Sequence, residues 1–351
     1  MENILIVDDN ITNLKMAENA LKDYYKVTLL TSGTQALNFL KKKTPNLILL
    51  DVNMPNMDGF CVNQKIKENE QIKDIPIIFL TARDDVETEI RALAEGVVDF
   101  IRKPFVPQIM LSRIRLHLEM SEYKKNLEQI VEAKTRMVNE LQDAVSISIA
   151  ELVECRDGET GGHIKRTKKY LKILANKMKE LNIYPEEVDK NFIKDLLRAA
   201  PLHDIGKVGI KDSILLKSSA LSSDEIEYMK THSILGGDTL QRAIDNTGFE
   251  SFLYLARDMA YYHHEKWNGT GYPNGLKGEE IPLCARMMAI VDVYDALTAK
   301  RVYKEPIPHQ KVVEMIREDK GKAFDEQIVE AFLAAEGEFE AALMQYQQEQ
   351  S

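Results

Sequence analysis

After Pro107 the chain runs to roughly Arg156 without a glycine or a proline, and this stretch separates two unlike hydrophobic patterns. Before it, short apolar runs alternate with amphipathic stretches: Ile4 to Val7, Val27 to Leu30, Leu47 to Leu50, Ile75 to Leu80, and Phe100-Ile101. Near-continuous apolar strands separated by helical patterns predict an α/β, doubly wound, five-stranded parallel sheet covered on both faces, with functional residues at the strands' C-terminal ends. After it, helical patterns dominate, interrupted at Gly158 to Gly162, Gly236-Gly237 and Asn268 to Gly278, so the C-terminal part is expected to be all-α.

Within the uninterrupted stretch, Met120, Tyr123, Leu127, Ile130, Lys134, Met137, Leu141 and Ala144 follow the 3-4 spacing of a heptad seam. Two readings fit. The stretch is a parallel dimeric linker helix whose Lys134 sets the register, or a single amphipathic helix packed on its own domain. A length of 351 residues with 44% apolar residues suits two hydrophobic cores. The expected division is residues 1–120, a helical linker over 121–146, and 147–351. The Glu/Gln-rich tail after Ala335 is expected to be a solvated helix end or a frayed terminus.

A net charge of -10 argues against general attraction to nucleic acid polymers or anionic membranes, so a phosphate ligand would need a local basic cluster. Cys61, Cys155 and Cys284 form no CxxC pair and are expected to be small buried hydrophobes in a reducing compartment. Without a basic leader, a cleavage signal or a long apolar segment, the chain is expected to be cytoplasmic.

Asp8 and Asp9 end the first predicted strand and Asp51 ends the third, so three carboxylates converge at one sheet edge. Hard oxygen ligands with room for water suit Mg2+, which would neutralise repulsion between a phosphodonor and the Asp51 nucleophile. Thr81 and Lys103, ending the fourth and fifth strands, place a hydroxyl and an ammonium where phosphoryl oxygens develop charge. Through Val7-Asp8-Asp9, Asp51-Val52-Asn53-Met54-Pro55-Asn56-Met57-Asp58-Gly59, Thr81-Ala82 and Lys103-Pro104, about the first 120 residues resemble the receiver domain of two-component response regulators. The resemblance implies a flavodoxin-like receiver in which Asp51 accepts phosphate from a histidine kinase. It further implies that Asp8 and Asp9 bind magnesium, that Thr81 and Lys103 contact the phosphoryl group, and that Phe100 is the aromatic that reorients with Thr81.

Five of the seven histidines, His163, His203, His232, His263 and His264, lie in one stretch of the helical part, whereas His117 and His309 read as surface or satisfied core residues. His203 precedes Asp204, His263 precedes His264, and Asp292 follows in an apolar run. Adjacent residues on a helix point about 100° apart, so each doublet can address two neighbouring metal positions. Imidazole and carboxylate without thiolate indicates iron, manganese or zinc rather than a zinc-sulfur site. With Glu159 there are eight candidate ligands, enough for two or three divalent ions; such a site suits phosphoester hydrolysis. Lys207, four residues after His203, is placed one turn on along the same helix face, where its ammonium would assist the leaving oxygen or stabilise the pentacovalent charge. Arg301 and Lys304 supply local cations for a phosphodiester.

From roughly Ile147 to Ala335 the chain resembles the HD-GYP family of cyclic diguanylate phosphodiesterases, a branch of the HD phosphohydrolases. The motifs are Glu159-Thr160-Gly161-Gly162-His163, His203-Asp204-Ile205-Gly206-Lys207, His232, His263-His264-Glu265-Lys266-Trp267-Asn268-Gly269-Thr270-Gly271-Tyr272-Pro273, and Asp292-Val293-Tyr294-Asp295-Ala296-Leu297-Thr298. The resemblance implies an HD-type phosphohydrolase fold in which His163, His203, Asp204, His232, His263, His264 and Asp292 hold metal, iron or manganese first. It makes Lys207 a catalytic-site cation beside His203 and Asp204, and places Tyr272, Pro273, Arg301 and Lys304 at the nucleotide. Glu159 matches members that assemble a third ion, and the Gly-Tyr-Pro loop implies contact with diguanylate cyclase domains. The expected activity is hydrolysis of cyclic di-GMP to pGpG and onward to GMP. Two alternatives stay open: an HD-type hydrolase preferring linear pGpG or another nucleotide, and a catalytically silent module that binds cyclic di-GMP or a cyclase. Phosphorylation at Asp51 is expected to shift the region of Thr81 and Phe100 and to act on hydrolysis through the long helix, with its sign left open.

Overall fold

The computed structural model describes residues 1–81, 91, 94–157, 162–247, 252–299 and 305–349. They fall into two compact units, Met1–Arg136 and Met137–Ser351.

The first unit is the five-stranded parallel sheet, in the order β2-β1-β3-β4-β5, built from β1 Asn3–Val7, β2 Lys26–Leu30, β3 Leu47–Asp51, β4 Ile77–Thr81 and β5 Asp99–Arg102. Its strands read as unbroken apolar runs because both faces are covered. Side chains alternate across a strand, so Leu5, Val7, Ile48, Leu50, Ile77 and Phe79 pack on one side with α2 (Gly33–Leu40) and α3 (Gly59–Lys67). Ile4, Ile6, Leu47, Leu49, Ile78 and Leu80 pack on the other with α1 (Ile11–Leu21) and with Met110, Ile114 and Leu118 at the start of α4 (Pro107–Asp157). The fourth strand begins at Ile77 and not at the expected Ile75, since Pro76 has no N–H to give the ladder. Asn10, Ser32 and Asp58 accept from backbone N–H groups of the first turns of α1, α2 and α3, so each capped helix starts close behind a strand end. That leaves the C-terminal edge open for polar chemistry.

Helix α4 is continuous from Pro107 to Asp157, as the absence of glycine and proline predicts. Met120, Tyr123, Leu127, Ile130, Met137 and Leu141 on its seam are exposed, so these residues do not pack on a core of the chain itself. Among the described residues no helix is long and apolar enough to cross a membrane.

The second unit is all-helical: α5 His163–Glu180, α6 Lys190–Ala199, the short α7 Asp212–Leu215, α8 Ser223–Thr247, α9 Leu253–Tyr262, α10 Leu283–Thr298, α11 His309–Glu318, α12 Glu326–Ala334 and α13 Glu336–Glu349. Helix α10, apolar nearly all round, is the buried central element; its Met287, Met288, Ile290, Val291 and Tyr294 pack with Tyr170, Leu171 and Leu174 of α5 and Phe332 of α12. The tail, expected to be a solvated helix end or a frayed terminus, is helical as α13, and it is docked and not wholly solvated: Phe339, Ala342 and Leu343 are buried, with Phe339 stacked on Tyr170 at 5.2 Å between ring centres. Of the cysteines only Cys284 is buried; Cys61 and Cys155 are exposed, against the expectation for all three. His117 lies beside Asp99, and buried His309 meets the Tyr294 hydroxyl at 2.8 Å.

Candidate metal centre and phosphoacceptor pocket

The pairing of β1 with β3 puts Val7 opposite Leu50, so the next residues, Asp8 and Asp51, emerge side by side at the open edge. With Asp9 they offer three carboxylate oxygens within 4.8 Å of one another. Lys103 Nζ lies 2.7 Å from Asp8 Oδ2 and 2.8 Å from Asp51 Oδ2. Burial raises the Asp51 carboxyl above its ordinary value, and the hydrogen bond from Lys103 opposes that rise. One ammonium among three carboxylates leaves a negative pocket of hard oxygens, a donor set that suits Mg2+. The Thr81 hydroxyl is buried without a hydrogen-bond partner among the described residues. Thr81 pairs across the sheet with Arg102, two residues along β5 from the half-buried Phe100.

In the second unit, His163 opens α5, His232 sits within α8, His263 caps the end of α9 with His264 following, and Asp292 lies on α10. His203 and Asp204 stand between two 3-10 turns, Ala200–Leu202 and Ile205–Gly209. Gly206 brings the second turn against α8: a Cβ built there would lie 1.8 Å from the His232 carbonyl oxygen and 2.5 Å from the Gly236 nitrogen. Only a residue without a side chain allows Asp204 to approach His232 this closely.

Seven of the eight candidate ligands are described, and they gather into two groups. Asp204, His232, His263 and His264 form one; His163, His203 and Asp292 form the other. Asp204 lies between them. Its Oδ2 is 3.4 Å from His203 Nε2, and its Oδ1 is 3.3 Å from His232 Nε2 and 3.7 Å from His263 Nε2. His163 Nε2 lies 3.4 Å from His203 Nε2 and 3.8 Å from Asp292 Oδ1. The His-Asp doublet therefore faces both groups, whereas His263 and His264 belong to one; the helix ends at His263, and the turn keeps both rings on the same side. Glu159, Arg301 and Lys304 lie outside the described residues.

The backbone fixes which imidazole nitrogen faces the group. Nδ1 of His203, His232 and His263 donates to the carbonyls of Ala200, Met229 and Met259 at 2.9, 2.8 and 2.9 Å. A carbonyl only accepts, so these nitrogens carry the protons and each Nε2 presents a lone pair. Among the described residues the Nε2 atoms of His232 and His263 and Oδ1 of Asp204 are buried without hydrogen-bond partners, lone pairs facing lone pairs. Such an arrangement is repulsive by itself, and a divalent cation among these atoms relieves it, so the residues fit metal. Burial pushes His263 down to about 4 and holds His264 well below the usual imidazole range, keeping both neutral. Burial opposes ionisation of Asp204, but Lys207 and His203 outweigh it and hold that carboxyl well below its ordinary value. Burial likewise disfavours charging His203, yet adjacent Asp204 leaves it raised overall.

Asp295 was not singled out from the sequence as a site residue, and neither was Arg166. Asp295 Oδ2 accepts from His163 Nδ1 at 2.7 Å, and Arg166 grips the same carboxylate at 2.6 and 3.0 Å. Burial would raise Asp295, but His163 and Arg166 keep it lowered and ionised. Both sit three residues after a candidate ligand and on a buried helix face; a charge on an apolar stripe was the legible signal. Replacing such a partner of a metal-binding histidine costs about 10- to 100-fold in metal affinity. Asp295→Asn is expected to show that loss in a chelator competition against the unmodified chain.

Lys207 departs from the expected geometry. The 3-10 turn, not an α-helix, carries it to Asp204, with Nζ 2.9 Å from Oδ2, rather than along the face of His203. The Tyr272 ring stands 4.8 Å from the His264 ring, and burial raises its phenol well above the ordinary value. Buried Glu265 holds this loop by accepting from the backbone N–H of Asn274, Gly275 and Leu276 at 2.7, 3.0 and 3.1 Å. Gly271 passes so near that a Cβ would lie 2.3 Å from the Lys266 nitrogen. Pro273 is half-buried beside Tyr272.

Residues 4–115 match the response regulator receiver domain, and residues 157–328 match the HD domain. The chain is 40% identical to a protein of Vibrio cholerae described as "Probable cyclic di-GMP phosphodiesterase", over 99% of this chain and 81% of the relative. It is 32% identical to the cyclic di-GMP phosphodiesterase response regulator RpfG of Xanthomonas campestris, over 98% and 90% of the two chains. A cyclic di-GMP phosphodiesterase of Thermotoga maritima is 31% identical over 95% of this chain and 90% of its own length.

Proposed function

This chain belongs to the family of response regulators in which a receiver domain is followed by an HD domain of the HD-GYP type, and from that premise we propose that it hydrolyses cyclic di-GMP under the control of a phosphoryl group on Asp51. The observation that carries the reading is Asp204, one carboxylate facing two sets of imidazoles through its two oxygens. In this reading His163, His203, Asp292 and Asp204 hold one divalent ion, and Asp204, His232, His263 and His264 hold a second. Iron and manganese suit this mixed imidazole and carboxylate donor set. Glu159 is proposed as a ligand of a third ion. Bound there, the ions supply Lewis acidity and a water nucleophile at neutral pH.

The chain's own side chains do the rest. Half-buried Asp204 stays ionised and keeps Lys207 within reach of its Oδ2, so the Lys207 ammonium is poised for the leaving oxygen of the phosphodiester. Tyr272 and Pro273, on the loop fixed by Glu265, together with Arg301 and Lys304, are proposed to hold the nucleotide. The names of the three relatives support cyclic di-GMP as the substrate; its cleavage first to pGpG and then to GMP is part of the same proposal.

The test is metal analysis of anaerobically purified protein combined with product analysis on cyclic di-GMP and on linear pGpG. The reading expects two or more ions per chain and pGpG as the first product. Binding of cyclic di-GMP without turnover at full metal load would make the domain a silent binding module, and turnover of pGpG alone would make it a linear-dinucleotide hydrolase.

For the first unit the same reading makes Asp51 the phosphoacceptor for a histidine kinase, with Mg2+ on Asp8, Asp9 and Asp51. Thr81 and Lys103 would hold the phosphoryl oxygens, and Phe100 would respond to Thr81. Asp51→Asn is expected to abolish the mass gain of one phosphoryl group on incubation with acetyl phosphate and Mg2+. Retention of that gain would move the phosphoacceptor elsewhere. The exposed seam of α4 is proposed to pair two copies of the chain over a linker at 121–146, between a receiver at 1–120 and a catalytic domain at 147–351. A cytoplasmic location and contact of the Gly-Tyr-Pro loop with diguanylate cyclase domains belong to the same proposal.

A further inference from the structure

Among the charged residues of the last turn of α4 are Glu154 and Arg156, which the metal chemistry does not use. Both reach segments that hold candidate ligands, and all of these residues lie within the second compact unit. Helix α5 begins at His163 behind Gly162, which has no side chain to cap it. Glu154 supplies that service from a distance: its Oε1 accepts from the Ile164 nitrogen at 2.9 Å, one residue past His163. A carboxylate at a helix N-terminus is favoured both by the free N–H and by the helix dipole.

Arg156 reaches the other segment. Nη1 donates to the carbonyls of Lys207 and Val208 at 3.3 and 2.5 Å, and Nη2 donates to the Ile210 carbonyl at 2.7 Å. Nε and Nη2 close on Asp212 Oδ1 at 3.0 and 2.7 Å. One guanidinium thus ties down the turn that begins with Asp204 and carries Lys207. Its planar fork of five N–H donors can span three carbonyls and a carboxylate together, which a lysine ammonium cannot. The helix end also walls the site itself: Val153 and Glu154 line a narrow cleft with His163, His203, Asp204 and Lys207.

We propose that Glu154 and Arg156 are positioning residues that clamp the His163 segment and the Asp204–Lys207 segment to the last turn of α4, making that turn the point at which movement of the long helix reaches the metal ligands. The proposal rests on the hydrolytic reading of the site and names its regulation. Backbone carbonyls offer no charge or proton to the reaction, so Arg156 acts only through where it holds Lys207 and Asp204. Misplacing reacting groups by about 1 Å costs up to roughly 100-fold in rate.

The test uses the full chain loaded with Mn2+. Arg156→Gln is expected to lower kcat for cyclic di-GMP at least about tenfold while KM stays within about twofold and metal content is unchanged. Arg156→Lys is expected to recover part of the loss, and Arg136→Gln, on the exposed middle of the same helix, none to recover because it loses nothing. Glu154→Gln provides the second variant, with the smaller loss expected of a neutral acceptor. Hydrogen exchange of the amides of residues 207–212 is read in the same samples and is expected to quicken in Arg156→Gln while the core of α10 is unchanged. Unchanged exchange at 207–212, or unchanged kcat, overturns the clamp. A common fall of kcat, metal content and protection throughout the unit also overturns it, as a merely structural role. Should the unmodified chain fail to hydrolyse cyclic di-GMP, the substrate reading falls, and the exchange data still decide the clamp.

Discussion

Asp204→Asn is expected to cut cyclic di-GMP turnover by roughly a thousandfold or more, to strip metal from the second unit, and to leave the metal-free protein less stable than before. The argument is geometric. Asp204 presents Oδ2 to His203 and Oδ1 to His232 and His263, so its two oxygens serve two groups of ligands. Asparagine keeps the volume but has one oxygen and no charge, and so serves one group at best. Several kcal/mol of charge stabilisation are at stake in such a centre, and about 4 kcal/mol corresponds to three decades in rate. Stability falls as well. Burial opposes ionisation of Asp204, yet in the metal-free chain Lys207, 2.9 Å away, and His203 hold the carboxyl well below its ordinary value, so its charge contributes to the fold at neutral pH and the amide gives that up. Turnover, metal content and the thermal midpoint with and without chelator check the three parts. Turnover within tenfold of the unmodified chain would remove Asp204 from the centre.

What the sequence made legible was what depends on period and on residue type. The five strands stand out because a sheet covered on both faces leaves no polar alternation, and Asp8 and Asp51 stand out because carboxylates end the first and third of them. The uninterrupted helix was legible from missing glycine and proline. The histidines were legible as a cluster by their crowding, but not their division into groups. That division depends on helix ends: His263 and His264 fall on one side because α9 stops there, and Lys207 meets Asp204 because the local turn is 3-10. Neither boundary leaves a periodic trace over so few residues. Helix α13 was hidden for a related reason, since three buried residues, Phe339, Ala342 and Leu343, anchor a stretch dominated by Glu and Gln. Residues that act through others were the hardest to see. Asp295 and Arg166 carry a buried-face signal, whereas Arg156 and Glu265 address backbone groups, which no residue-type pattern reveals.

Gly206→Ala is expected to damage fold and metal centre together, and the reason lies in backbone contact. The added Cβ would fall 1.8 Å from the His232 carbonyl oxygen and 2.5 Å from the Gly236 nitrogen, both main-chain atoms of α8. No rotamer change relieves such an overlap, so the turn carrying Asp204 must move away from the helix carrying His232. Overpacking of a close-packed interior costs about 1–3 kcal/mol and more where the backbone itself must yield, so a loss of about 3 kcal/mol is expected. For a unit of this size that is about 6–12 °C in thermal midpoint. The same displacement lengthens the 3.3 Å approach of Asp204 Oδ1 to His232 Nε2, so metal affinity falls as well. Gly337→Ala separates this from a general response to a methyl group, because a Cβ there meets nothing within 4 Å. At that position, near the start of α13, alanine is expected to leave metal content unchanged and to raise stability by up to about 1 kcal/mol. If Gly206→Ala kept its metal and its midpoint, α8 and the turn would have room between them, and the close approach that joins Asp204 to His232 would not be what builds the centre.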